Sequence, residues 1–136
     1  TRDLDVYAET GLWFIDEGEG FFQDKRIKYP DVTRICWYEP YYNNEIVLMD
    51  EWEPLTEAAK HRMLINGKWK LIYCPLENGV EYELYDLEND PEERDNLAKQ
   101  RPRVVERMKN RLFALIGSRP GWTMEAGYYV RREDVK

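Results

Sequence analysis

The stretch HRMLINGKWKLIYC, residues 61–74, decides the fold. It contains two runs of alternating apolar and polar residues, separated by the dipeptide Asn66-Gly67. Asn-Gly accepts the positive φ angles of a type I′ turn, so the runs predict an antiparallel β-hairpin in which Leu64 pairs with Trp69. Successive strand residues point to opposite faces of a sheet. One face should therefore carry three large apolar side chains: Trp69, Leu71 and Tyr73.

Further strands are predicted on either side of this hairpin. Residues 80–85 alternate in the same way and follow a loop with turn residues, so they should add a third antiparallel strand. A fourth strand could come from residues 6–9 or from Glu45–Leu48. Both runs are short, and no diagnostic turn beside either of them selects one over the other.

Two helices are predicted after the strands. Asp90 can cap backbone N–H groups, Pro91 suits the first helical position and Glu93 can complete a capping box, so a short helix should begin here. A second, amphipathic helix should begin near Pro102 and end at Gly117. Its apolar stripe contains six residues: Val104, Val105, Met108, Leu112, Leu115 and Ile116.

These elements predict an α+β fold class. A small antiparallel β-sheet of about four strands should pack against the long C-terminal amphipathic helix as a two-layer sandwich. This unit would span residues 1–117, with residues 118–136 as an extended C-terminal tail. A chain of 136 residues is long enough for one hydrophobic core and too short for two ordinary domains.

The charge of the chain limits its partners. The formal net charge is -7 and the isoelectric point is about 4.9, so phosphate backbones and anionic lipids should be repelled. No apolar run approaches the roughly 20 residues that span a bilayer. We therefore expect a soluble protein that binds neither nucleic acid nor membrane. The chain starts on charged residues without a methionine, and we expect it to be part of a longer protein.

No catalytic or metal-binding motif is recognisable from spacing alone. Cys36 and Cys74 are too far apart for a CxxC site, and we expect two buried thiols unless an oxidising compartment joins them. The acidic loop at residues 16–19 lacks the ligand spacing of an EF-hand. Turn and capping roles account for three further acidic residues: Asp86, Glu88 and Asp90. We assign no catalytic residue and no metal ligand to this chain.

Aromatic residues make up 14% of the chain, and we expect most of them in the core. The alternative is an independent carbohydrate- or protein-binding module, whose exposed rings would stack on the ligand. Four tryptophans are the candidate stacking surfaces: Trp13, Trp37, Trp52 and Trp122. Their solvent exposure separates the two interpretations.

Two segments carry a resemblance to a known family. HRMLINGKWKLIY (residues 61–73) and ELYDLENDPEERDNL (residues 83–97) resemble the carboxyl-terminal subdomain of the sulfatase family, the arylsulfatases of the alkaline phosphatase superfamily. The best-matching core is residues 61–116. The resemblance implies a non-catalytic subdomain that buttresses a large α/β catalytic domain and lines its substrate entrance. The implied partners are an N-terminal catalytic domain of the same parent chain and the parent's sulfate-ester substrate.

The same resemblance implies that the chemistry lies outside this chain. Family members make formylglycine from Cys or Ser in a Cys/Ser-x-Pro/Ala-x-Arg motif, and neither Cys36 nor Cys74 is followed by that pattern. Ca²⁺ and formylglycine are thus implied for the missing catalytic domain, with no cofactor in this chain. We expect the isolated chain to be inactive. Related phosphodiesterases and phosphonate hydrolases share this fold and could share this subdomain.

Two residues are candidates for the substrate entrance. His61 opens the predicted hairpin and Glu9 lies at the end of the first short run, so either could project toward a neighbouring catalytic domain. Apolar segments at residues 12–15 and 21–22 and at Trp37-Tyr38 exceed what one small sandwich should bury. We expect that in the isolated fragment they either pair in a homo-oligomer or remain mobile.

Overall fold

The computed structural model describes residues 4–12, 26–41 and 43–132 of the chain. In chain order the strands are β1 (Asp5–Glu9), β2 (Cys36–Glu39), β3 (Glu45–Leu48), β4 (Arg62–Asn66), β5 (Trp69–Leu76), β6 (Gly79–Asp86), β7 (Trp122–Glu125) and β8 (Tyr128–Arg131). The helices are α1 (Val32–Ile35), α2 (Glu53–Ala59) and α3 (Pro102–Ile116), and a 3₁₀ turn at Asp50–Trp52 precedes α2.

Three antiparallel sheets result from these strands. The main sheet has the order β1-β4-β5-β6, and β2-β3 and β7-β8 form two separate hairpins. The fold-class prediction is therefore wrong, because it placed one sheet against one long C-terminal helix. The longest helix, α3, has 15 residues and is followed by the β7-β8 hairpin within residues 118–136.

The main sheet has one well-buried face, which we call the helix face. Leu64, Leu71 and Leu84 lie opposite one another on β4, β5 and β6, and all three are fully buried. Met108, Leu112 and Ile116 of α3 pack against them, as the helical spacing predicted. Trp69, Leu71 and Tyr73 share this face, which confirms the alternation read from the sequence.

The other side of the sheet, which we call the opposite face, is less buried. Val6, Met63, Ile65 and Ile72 are apolar residues of this face that remain partly or largely exposed. None of them belongs to the core cluster. Cys74 on the same face is buried, and its thiol and that of Cys36 are both free.

The turn between β4 and β5 differs from the predicted one. Asn66 pairs with Trp69 as the last strand residue, so Gly67 and Lys68 form the loop and Leu64 pairs with Leu71. Gly67 has a φ of 59°, whereas the φ of Lys68 is not positive. A type I′ turn requires a positive φ at both central residues. Asn66 is held in the strand because its side-chain amide donates to Asp5 Oδ1 at 2.9 Å.

No helix forms at Asp90, contrary to prediction. The Asp90 carboxylate accepts hydrogen bonds from the backbone N–H groups of Arg94 and Asp95, at 3.1 and 2.9 Å. Glu93 has a φ of 54°, outside the helical region, and its carboxylate binds Lys70 Nζ at 2.7 Å. These long-range and loop contacts replace the predicted capping box.

The two edge strands of the main sheet, β6 and β1, differ in the hydrogen bonds that their outward backbone groups make. At β6, the Leu84 N–H donates to Asn96 Oδ1 at 3.1 Å, and the Leu84 carbonyl accepts from the Leu97 N–H at 2.8 Å. At the other side, no strand of the described residues pairs with the outer edge of β1. All five residues of β1 are exposed.

The β7-β8 hairpin completes the core beyond α3. Trp122 and Tyr129 are buried and stack with their ring centroids 5.1 Å apart. The Tyr129 N–H donates to Tyr73 Oη at 3.1 Å, and Tyr128 Oη donates to the Leu76 carbonyl at 2.7 Å. Within the described residues, no helix has the length and apolar character needed to cross a membrane.

Candidate functional site

Glu9, one of the two predicted entrance residues, belongs to a network of charged groups at one end of the helix face. It lies opposite Arg62 across the β1-β4 pair. Its carboxylate accepts hydrogen bonds from Lys60 Nζ at 3.0 Å and from Tyr7 Oη at 2.7 Å. Burial alone would raise the pKa of Glu9, but these two hydrogen bonds outweigh it and lower the pKa. Glu9 is therefore held as a carboxylate by its own neighbours.

Arg62 is the buried centre of this network. Its guanidinium donates to the backbone carbonyls of Glu57 at 2.9 Å and Lys60 at 3.2 Å, and to Glu57 Oε2 at 3.2 Å. It also lies over the Tyr129 ring, 4.6 Å from the centroid. The two carbonyls lie at the C-terminal end of α2, where helix carbonyls lack intrahelical partners. Arg62 thus joins α2, β4 and β8 and has a structural role.

The backbone of His61, the second predicted entrance residue, is bonded to Thr10, the residue after Glu9. The side chains of His61 and Glu9 nevertheless lie in different surroundings. The Thr10 N–H donates to the His61 carbonyl, and the His61 N–H donates to Thr10 Oγ1 at 3.1 Å. Because Glu9 pairs with Arg62, strand alternation directs the His61 side chain to the opposite face. Burial lowers the pKa of His61, and the nearby Arg26 charge lowers it further. The two predicted residues do not form one site.

The second segment that carries the sulfatase resemblance has a structural role here. The Asp86 carboxylate accepts hydrogen bonds from Lys68 Nζ at 2.8 Å and from Asn89 Nδ2 at 3.0 Å, and these bonds lower the pKa of Asp86 to about 2. Further along, Asn96 and Leu97 close the β6 edge. The resembling residues therefore brace the sheet, in keeping with the turn and capping roles expected for the acidic ones.

A second region, which the sequence did not predict as a site, lies beside the β2-β3 hairpin. An open cleft of about 630 Å³ is lined by six residues: Trp37, Glu39, Val47, Leu48, Met49 and Asp50. Trp37 lies opposite Val47 and Glu39 lies opposite Glu45, so alternation places these four on one face of the hairpin. We call this region the Trp37 cleft.

The Trp37 cleft combines an exposed ring with a buried carboxylate. Trp37 is 47% exposed, whereas Glu39 is only 8% exposed. Glu39 Oε1 accepts a hydrogen bond from the Tyr41 N–H at 3.0 Å. Among the ion pairs of the described residues, none includes Glu39. No Lys or Arg is among the described residues that line the cleft.

One signal in the sequence could have located this hairpin. Asn43 and Asn44 lie between the two strands and have φ values of 51° and 63°. Asn is the non-glycine residue that most readily adopts this conformation, so the dipeptide marks a turn. Glu39 itself carries no sequence signal, because its burial depends on the packing of the hairpin.

The four tryptophans proposed as stacking surfaces differ in exposure. Trp122 is only 5% exposed and Trp52 is half-buried, whereas Trp37 is open to solvent. Trp13 lies outside the described residues. Among the three tryptophans that the structure describes, Trp37 is therefore the most exposed ring.

The acidic residues do not assemble into a metal site where the structure describes them. Over residues 4–12, 26–41 and 43–132, no group of three or more His, Cys, Asp or Glu side chains could hold a metal ion. The loop at residues 16–19 lies outside the described part of the chain.

Comparison with known proteins yields no relative. No family model matches the chain, and no curated protein or solved structure is significantly similar to it. The similarity to sulfatases therefore rests on the residues of the two quoted segments.

Proposed function

We propose that this chain is a non-catalytic domain of a sulfatase-like hydrolase and that it packs against the catalytic domain. The proposal rests on the resemblance of residues 61–97 to the carboxyl-terminal subdomain of that family. In the parent enzyme, formylglycine and Ca²⁺ of the catalytic domain would supply the chemistry of sulfate-ester hydrolysis. The residues of this chain would support the catalytic domain and form part of the substrate entrance.

One structural observation carries this proposal, namely the exposure of β1. Val6 of β1 is 50% exposed and Leu4, which directly precedes this strand, is 76% exposed, although both are large apolar residues. The outward N–H and C=O groups of β1 alternate with those that bind β4, and they have no strand partner among the described residues. Exposed apolar residues on an unpaired edge strand are typical of a surface that another polypeptide covers.

The isolated chain should release no nitrophenol from 4-nitrophenyl sulfate, with or without Ca²⁺. Burial raises the pKa of the Cys74 thiol to about 12, and neither cysteine lies in the formylglycine motif. The comparison is with the Cys36→Ser/Cys74→Ser double variant, which should give the same background. Turnover that this double variant loses would refute the assignment of catalysis to another domain.

The docking of a catalytic domain is tested with the longer polypeptide that contains this chain together with the sequence that precedes Thr1. It should contain a Cys/Ser-x-Pro/Ala-x-Arg motif and hydrolyse the sulfate ester in a manner that depends on that Cys or Ser. Hydrogen exchange of the β1 amides should be slower, by about tenfold or more, than in the isolated chain, because covered edge groups open less often. A longer polypeptide without the motif, or with equally fast exchange in β1, would contradict the proposal.

A further inference from the structure

Glu39 is a buried carboxylate that forms no ion pair with any cationic side chain in the part of the chain that the structure describes. Acidic side chains are seldom buried unless they are paired, because burial removes the hydration of the charge. Glu39 is 8% exposed and receives one hydrogen bond, from the Tyr41 N–H. Other buried charges here are paired, as Arg62 is with Glu57. Among the described residues, no Lys, Arg or His forms an ion pair with Glu39.

The surroundings of Glu39 indicate the chemistry of a missing partner. Trp37 precedes it by two residues on the same strand face, which places the two Cα atoms about 6.5 Å apart. A cation between them could contact the indole face and the carboxylate together, because cation–π contacts extend to about 6 Å from the ring centroid. Asp50 adds a second carboxylate to the cleft lining, and Glu45 lies directly opposite Glu39.

We propose that the Trp37 cleft binds an organic cation, an alkylammonium or guanidinium group, between the Trp37 ring and the Glu39 carboxylate. The aliphatic lining of Val47, Leu48 and Met49 suits the carbon substituents of such a group. The positive charge of the bound cation would compensate the negative charge of the Glu39 carboxylate. The site is independent of the proposed sulfatase role, because every residue that forms it belongs to this chain.

Two other classes of ligand fit the cleft less well. A hard metal ion requires six or more oxygen ligands, and no suitable group of three acidic, His or Cys side chains occurs in the described ranges. A neutral sugar could stack on Trp37, but it would leave the Glu39 charge uncompensated. Among the described lining side chains, the indole N–H of Trp37 is the single hydrogen-bond donor for sugar oxygens, and no Lys or Arg is among them.

Binding is tested by titrating the 136-residue chain with tetramethylammonium chloride at constant ionic strength while following indole N–H resonances by NMR. The Trp37 resonance is assigned from the spectrum of Trp37→Phe. It should shift saturably with tetramethylammonium, and it should not shift with tert-butanol, a neutral molecule of similar size. Saturable binding of tert-butanol with equal affinity would show an apolar cleft without charge recognition and would overturn the proposal.

Three variants locate the site. Glu39→Gln keeps the acceptor for the Tyr41 N–H and removes the charge, so it should weaken binding by about tenfold. Trp37→Leu lacks the reporting indole, so its binding is followed through the backbone amide resonances of β2 and β3, and it should be weaker by roughly fivefold through loss of the cation–π contact. Glu125→Gln makes the same charge change at the exposed last residue of β7, outside the cleft, and should alter affinity by less than about twofold. Equal losses in Glu39→Gln and Glu125→Gln would contradict a local site.

Parallel titrations distinguish the source of the cation and the class of ligand. Tighter binding of N-acetyl-arginine amide or N-acetyl-lysine amide than of tetramethylammonium would indicate a protein side chain as the natural occupant, and the reverse order a small ammonium compound. Saturation by CaCl₂ or by glucose, with no response to any of these cations, would refute the proposal. Failure of the sulfatase test would leave these results unchanged.

Discussion

Replacing Arg62 with methionine should destabilise the protein more than any other single charge removal described here. The guanidinium is fully buried and makes three hydrogen bonds, two of them to carbonyls at the end of α2. Methionine fills much of the volume but donates no hydrogen bond. The carbonyls of Glu57 and Lys60 would then lose these donors.

The magnitude follows from these lost contacts. Leaving a buried acceptor without its donor costs about 1–3 kcal/mol, and removal of one partner of a buried ion pair typically costs about 3–5 kcal/mol in total. Lys60 Nζ at 2.5 Å and Arg119 Nη1 at 3.4 Å still bind the Glu57 carboxylate, so it keeps two cations and the effect should not exceed this range. For a chain of this size, about 3–5 kcal/mol corresponds to a fall in Tm of roughly 10–15 °C.

The assay is urea unfolding followed by tryptophan fluorescence, with thermal unfolding as a second measurement. Arg111→Met is the matched control, because Arg111 binds Asp5 at 2.6 Å but is 48% exposed. Solvent screening limits such a surface pair to about 0–1 kcal/mol. If Arg62→Met lowers the free energy of unfolding no more than Arg111→Met, the assignment of Arg62 as a buried structural cation is wrong.

Three further predictions concern the core, the turn between β4 and β5, and Asp86 at the end of β6. Leu112→Ala should cost about 2–5 kcal/mol of unfolding free energy, measured by urea unfolding, because the side chain is fully buried between α3 and the sheet; an unchanged midpoint would contradict that packing. Gly67→Ala should cost about 1 kcal/mol in the same assay through its φ of 59°, and an equal or higher stability would contradict the turn geometry. The pKa of Asp86 is lowered to about 2 from 3.8, so its stabilisation is present above about pH 3.8 and lost as the pH falls toward 2. Acid unfolding of Asp86→Asn should lack that component, and identical acid profiles would refute it.

Residue patterns within a single strand or helix predicted which residues of that element are buried. Alternation identified the buried face of β5, and helical spacing identified Met108, Leu112 and Ile116 on α3. The predicted turn failed because Asn66 is held in β4 by Asp5, which is 61 residues away in sequence. The predicted helix at Asp90 is absent because Glu93 instead binds Lys70, which lies on β5. Contacts of this kind have no local signal.

The candidate site was less predictable than the fold. Trp37 was identified as a possible stacking ring, but Glu39 becomes notable only when its burial and its missing cation are known together. Glu9 and His61 were each predicted as a candidate for the substrate entrance, and strand alternation places their side chains on two different faces. Neighbouring backbones therefore do not imply a shared site when their residues differ by one position in register.

The unequal edges of the main sheet limit how the protein can assemble with itself. Growth of a continuous sheet through successive copies requires two free edges on every copy, one to accept a strand and one to offer it. Here Asn96 and Leu97 occupy the hydrogen-bonding groups of Leu84 on β6, whereas no strand of the described residues pairs with the outer edge of β1. A strand added at β6 would first have to displace Asn96 and Leu97 from Leu84. Pairing through β1 is therefore easier for the main sheet than growth at both of its edges.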